Sequence, residues 1–179
     1  MLMIVLVLSQ ALSGVLQPKE PSVVPHLLNP GQTQNLVTAP GGQWAYARPR
    51  DAVDIGRDAA TRTLSLGLPV GRLFCELRLT TIAMPTGTAG SLALSSASQL
   101  KKLPQARFQP TRKVSAKVLR QGVRFHHLNN PAMARFALQW FIVEKGQAMV
   151  AHLEAPLQFE GACAGRAEAI ALSMKRVSP

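Results

Sequence analysis

Leucine recurs at every second position in two neighbouring stretches. Leu64, Leu66 and Leu68 run as far as a break at Pro69 and Gly71. Leu73, Cys75, Leu77 and Leu79 follow, with Arg72, Glu76, Arg78 and Thr80 on the opposite side. A period of two with one polar side describes strands that bury one face and leave the other wet. Cys75 then points inward with the leucines. The same pattern returns later. Phe136, Leu138, Trp140 and Ile142 alternate with Arg135, Ala137, Gln139 and Phe141. A turn at Glu144-Lys145-Gly146-Gln147 follows, and Met149, Ala151, Leu153 and Ala155 resume the alternation. Gly146 supplies the positive φ that a tight hairpin needs.

Other stretches are less periodic. Leu92, Ala97, Leu100 and Leu103 fit a helix that ends near Lys101, Lys102 and Pro104. Arg50 to Thr61 reads as a short helix with Asp51, Asp54 and Asp58 on one face, close to Arg48, Arg50, Arg57 and Arg62. A salt-bridged surface fits these carboxylates better than calcium, because their spacing is not that of an EF-hand loop. Gly161 to Val177 closes the chain as either a helix or a strand. With 13 glycines and 13 prolines spread along 179 residues, short elements are favoured over long ones. The expected fold is therefore β-rich: an antiparallel, sandwich-like single domain over residues 44–179, with α+β as its variant.

An apolar segment precedes that domain. Residues 1–18 carry no charge, and Met1 to Leu8 is continuously apolar. The run is short for a membrane span and is diluted by Ser9, Gln10, Ser13 and Gln17, so a secretory signal or short anchor fits better. It lacks a basic lead-in and a clear cleavage site. Met1–Leu8 also resembles the apolar helix of type IV prepilins, without that family's Gly-Phe-Thr-x-x-Glu lead-in. Residues 19–43, with Pro21, Pro25, Pro30 and Pro40 and three glycines, read as a connector. Trp44 and Tyr46 would anchor it.

Charge changes the picture. From Leu77 to Val143 there is no aspartate or glutamate, yet ten of the 20 lysines and arginines lie there, so this block carries nearly all of the formal charge of +11. Within it Lys113, Lys117, Arg120 and Arg124 are spaced i, i+4, i+7 and i+11. If Thr111 to Gln121 is helical, they form a narrow cationic ridge, and on a strand the ridge divides. With Lys101, Lys102 and Arg112 they are the candidate anion-binding residues. The partners such a surface fits are an anionic polymer, an anionic membrane surface or an acidic protein. Nucleic acid ranks lower, because only Phe108 and Phe125 stand near the block for stacking and no reader motif is present.

Little else carries chemistry. Cys75 and Cys163 are too few for a zinc site and form a disulfide if the chain is exported, or remain buried thiols if it is not. His126 and His127 are adjacent, and His26 and His152 are isolated. No HExxH, GxSxG or Gly-rich phosphate loop is present, and nothing asks for a cofactor or metal. The functional expectation is an exported (periplasmic, envelope-associated or secreted), non-catalytic binding or assembly module. A structural subunit of a larger assembly, pilin-like or in an RNA/protein complex, is the first alternative. A small hydrolase is the second, and it would need a concave pocket holding a pair such as His152–Glu154, or His127 with a glutamate.

Overall fold

The alternating stretches pair with one another. In this computed structural model, residues 36–39 and 41–177 are described. The strands are β1 (Leu36–Thr38), β2 (Trp44–Ala47), β3 (Val53–Asp58), β4 (Thr63–Val70), β5 (Leu73–Ala83), β6 (Arg107–Lys113), β7 (Val118–His127), β8 (Asn130–Glu144), β9 (Gln147–Pro156) and β10 (Lys175–Arg176). The helices are α1 (Ala89–Leu100) and α2 (Glu160–Ser173). Seven strands form one antiparallel sheet in the order β3-β4-β5-β9-β8-β7-β6, and β1, β2 and β10 form a second, three-stranded sheet around β2. The β-rich antiparallel expectation holds, and the two helices place the domain at its α+β variant.

The period of two sorts the large sheet into two faces. On one, Leu64, Leu66, Leu68, Leu77, Leu79, Phe136, Leu138, Trp140, Ile142 and Leu153 are sealed from solvent. Helix α2 lies on this face through Cys163, Ala167, Ile170 and Ala171, and Trp44 and Tyr46 of β2 join the same core. Small residues on α2 let its backbone approach the sheet closely. Cys75 on β5 and Cys163 on α2 form a disulfide across 88 residues of chain. The indole nitrogen of Trp44 and the hydroxyl of Tyr46 are buried without hydrogen-bond partners among the described residues, and burial pushes the Tyr46 phenol upward. On the opposite face α1 packs over Val123, Phe125 and Ala137 through Leu100, and Leu103 just beyond its end joins them. Thr88 caps α1, its hydroxyl accepting from the Ser91 amide while the Ser91 hydroxyl accepts from the Thr88 amide.

One sequence expectation is corrected and one open alternative is settled. Arg50 to Thr61 is not a helix, because its core pairs with β4 as an edge strand with a bulge between Asp54 and Gly56. Asp51, Asp54 and Asp58 therefore do not share a helical face. Thr111 to Gln121 is not a helix either: it holds the end of β6, a turn and the start of β7. Tertiary pairing overrides the 3.6-residue spacing of its charges. The ambiguous stretches at 91–103 and 161–177 resolve as α1 and, mostly, α2. The domain also begins before residue 44, since β1 pairs with β2 from Leu36 onward. The apolar segment 1–18 and the connector as far as residue 35 lie outside the described residues.

Candidate functional site

The basic block folds against carboxylates from distant parts of the chain. Arg120 Nη1 lies 3.0 Å from Glu168 Oε2 of α2, and Arg112 Nη2 reaches the same oxygen at 3.9 Å. The buried indole of Trp140 donates to Glu168 as well, at 3.3 Å. About two helical turns earlier on α2, Glu160 accepts from Arg124 at 3.0 Å and from Gln109 at 2.9 Å. Lys117 lies 2.6 Å from Glu144, and Arg135 2.9 Å from Glu154. The ridge of Lys113, Lys117, Arg120 and Arg124 does not form. Arg120 and Arg124 share the α2 face of β7 and hold the β6–β7 hairpin to that helix, whereas Lys113 pairs opposite Leu119 on the other face. Lys101, Lys102, Arg107 and Lys113 remain exposed and have no acidic partner among the described residues.

The eight carboxylates among the described residues are all engaged. Asp51 pairs with Arg166, Asp54 with Arg48 and Arg57, and Glu76 with Arg78. Asp58 accepts from the amides of Ala60 and Thr61. Among the described residues no acidic side chain is left to offset the remaining cations. Arg50, Arg62, Arg72, Lys101, Lys102, Arg107, Lys113, Lys145 and Lys175 all stay exposed without an acidic partner.

A second group of polar residues crosses the α1 face. Ser96 of α1 donates to Gln139 Oε1 at 2.6 Å, and Gln121 donates to the same oxygen at 3.0 Å. The Gln139 amide donates to His152 Nδ1 at 3.0 Å. His152 Nε2 faces Glu154 at 3.7 Å, an ion-pair distance rather than a hydrogen bond. Across the strands Glu76 stands opposite Glu154 and Arg78 opposite His152. Burial pushes the Glu154 carboxyl up, but His152 and then Arg135 outweigh it and hold its pKa at about 2. Glu76 behaves alike: burial raises it, and Arg78 with Ser65 brings it below the usual range. The row runs over β4, β5, β9, β8 and β7, half-buried at Ser65, Glu76, Arg78, Glu154 and His152 and buried at Gln139 and Gln121.

The sequence pointed to His152–Glu154, and the fold does bring the two together. Both ring nitrogens of His152 are engaged, one by Gln139 and one by Glu154, and no serine or threonine hydroxyl is shown bonded to the ring among the described residues. His127 does not meet a glutamate; its Nδ1 accepts from the Asn129 amide. A cavity of about 550 Å³ lies elsewhere, at the start of α1, lined by Thr88, Ala89, Lys117, Glu144 and Lys145. Gln139 and Gln121, the centre of the polar row, were not singled out in the sequence. Their signal was a polar residue at a core-flanking position of a strongly apolar hairpin.

The fold thus defines an antiparallel seven-stranded sheet with a helix on each face, a small side sheet and one disulfide tying helix to sheet. Two solved structures are similar in overall fold. LpqN of Mycobacterium tuberculosis, described as involved in cell envelope biogenesis, is similar at 10% identity and a TM-score of 0.57 over 80% of this chain and 90% of its own. A Bacteroides thetaiotaomicron protein is similar at 11% identity and a TM-score of 0.58 over 82% of this chain, which spans half of that protein's length. The cyanobacterial PsbP of Synechocystis aligns at 13% identity with a TM-score of 0.48. No protein-family model matches the chain, and no curated protein matches it. At these identities the likeness is one of fold.

Proposed function

We propose that this chain is an exported, non-catalytic binding module whose cationic surface meets an anionic partner at a cell envelope or extracellular surface. The observation that carries the reading is the exhaustion of carboxylates. Each described aspartate or glutamate is engaged by an arginine, a lysine or a backbone cap, while Lys101, Lys102, Arg107, Lys113 and Lys145 stand exposed without one. Such a surface attracts anions by long-range charge and does so less as salt rises. The Cys75–Cys163 disulfide supports an oxidising compartment. The likeness in fold to LpqN supports the envelope setting. Within the basic block, the free residues take over the role first given to the ridge: Lys101, Lys102, Arg107 and Lys113 contact the partner, while Arg112, Arg120 and Arg124 hold the hairpin.

The test is binding of the full chain to dextran sulfate and to phosphatidylglycerol vesicles over a salt series. Affinity should fall steeply between 50 and 300 mM NaCl, roughly as a power of the salt concentration. No binding to either probe, or binding that ignores salt, overturns the reading. Mass spectrometry of the mature N-terminus and of the cysteine redox state, on one sample from the native host, tests the compartment.

A further inference from the structure

The β7–β8 hairpin continues past its neighbours. Strand β6 leaves β7 at Arg107 opposite Arg124, and β9 leaves β8 at Pro156 opposite Arg135. Beyond those positions the two strands have only each other in the sheet. His126 pairs with Ala134 and His127 with Asn130, so Pro131, Ala132 and Met133 loop out of β8 with nothing opposite them. The two histidines brace this finger. His126 Nδ1 donates to the Pro131 carbonyl, and His127 Nδ1 accepts the Asn129 amide. The tip is apolar and wet, with Leu128 59% and Met133 40% exposed. One exposed leucine needs no explanation. Here the apolar residues are gathered on a projecting, braced tip, and the charged side chains near its base that lack a partner of opposite charge among the described residues are all cationic.

That base is cationic. The Pro104 carbonyl accepts from the His126 amide, which sets the segment following α1, with Lys101 and Lys102, beside the finger. Arg107 stands across from Arg124 at the root. Lys101, Lys102 and Arg107 are exposed and have no acidic partner among the described residues, whereas Arg124 is held by Glu160. An apolar tip above a collar of free cations complements the two layers of an anionic bilayer surface, acyl chains beneath phosphates. An acidic polymer would engage the collar and leave the tip in water.

We propose that the 126–134 finger is an interfacial membrane-docking element, inserting Leu128 and Met133 among the lipids while Lys101, Lys102 and Arg107 meet anionic headgroups. The inference rests on the anionic-partner reading and narrows it to a lipid surface. The experiment is co-sedimentation of the full chain with phosphatidylcholine vesicles, with and without phosphatidylglycerol, alongside the dextran sulfate assay. The chain should bind only the anionic vesicles. Leu128→Asp should weaken that binding about ten-fold and leave dextran sulfate binding intact. Replacing Lys101, Lys102 and Arg107 by Gln should weaken it by about five-fold per charge. Leu128→Trp places a reporter at the tip, and its emission should shift to the blue with anionic vesicles. Urea midpoints of all variants should match the parent, since the replaced side chains are exposed.

The outcomes separate the two claims. Vesicle binding that Leu128→Asp leaves unchanged, or dextran sulfate binding without vesicle binding, overturns the finger and keeps the anionic partner. Binding to neither probe overturns both.

Discussion

Replacing Glu154 by Gln tests whether the polar row contributes to the fold. The Glu154 carboxyl lies between Arg135 at 2.9 Å and His152 at 3.7 Å, and its pKa falls from 4.5 to about 2. A fall of that size corresponds to roughly 3 kcal/mol of favourable interaction with the charged form. With 29% of the side chain open to solvent, screening reduces this, and 1–3 kcal/mol is expected. A carboxyl whose folded pKa lies below its unfolded value stabilises fully above the unfolded value and progressively less as pH falls through the folded one. The contribution is therefore complete at neutral pH and is lost between about pH 4.5 and 2. Urea unfolding of parent and Glu154→Gln at pH 7 and pH 3 reads it directly. The gap in stability should be 1–3 kcal/mol at pH 7 and about half that at pH 3. Equal stabilities at pH 7, or a gap of constant size at both pH values, would refute the electrostatic account of the row.

Three further outcomes follow from the geometry. A chain with both Cys75 and Cys163 changed to Ala should lose up to about 4–5 kcal/mol in urea unfolding, because the cross-link closes 88 residues, and a loss under 1 kcal/mol would contradict that account. Gly122→Ala should cost roughly 1–3 kcal/mol, since its Cβ would stand 2.8 Å from Leu138 Cδ2 and 2.5 Å from the Gln109 oxygen that packs over it. Glu160→Gln with Glu168→Gln should lower stability by about 1–3 kcal/mol while tightening dextran sulfate binding, because Arg112, Arg120 and Arg124 lose their carboxylates. Unchanged or weaker binding by that variant would show that these arginines stay unavailable to a partner.

The residues read correctly from sequence were those whose partners are close in the chain. The β8–β9 hairpin is set by alternating apolar side chains on both arms and by a turn where Lys145 and Gly146 both take positive φ. Strands β4 and β5 follow for the same reason, with Gly71 in the turn. Helix α1 was ambiguous because Ala and Ser dominate it, although Thr88 and Ser91 sit at capping-box spacing ahead of Leu92. The charged stretches misled. Asp51, Asp54 and Asp58, like Lys113, Lys117, Arg120 and Arg124, fall at helical intervals but lie on strand and turn segments; Asp54 pairs nearby with Arg48 and Arg57, whereas Asp51 finds Arg166 and Arg120 finds Glu168 from afar. No local spacing encodes such pairings. The finger left a trace in Asn129-Asn130-Pro131, a run of turn formers, but the outward bulge depends on the register of β7 against β8.

The three-stranded side sheet has a consequence for how the molecule can be held. Strands β1 and β10 flank β2, with Leu36 opposite Ala47 and Arg176 opposite Trp44, so these two residues lie two strand spacings apart across the side sheet and three residues apart along it, roughly 14 Å. Arg176 of β10 donates to the carbonyls of Glu144 and Lys145, at the far end of β8 from the finger. With Pro131–Met133 looped out, eleven strand steps separate those sites, a reach of roughly 35–40 Å. The end of β10 and the apolar tip thus occupy opposite ends of the large sheet. A sensor chip coupled through the exposed Lys175 of β10 would hold the domain by the end opposite the tip and leave the tip pointing outward, toward a second surface.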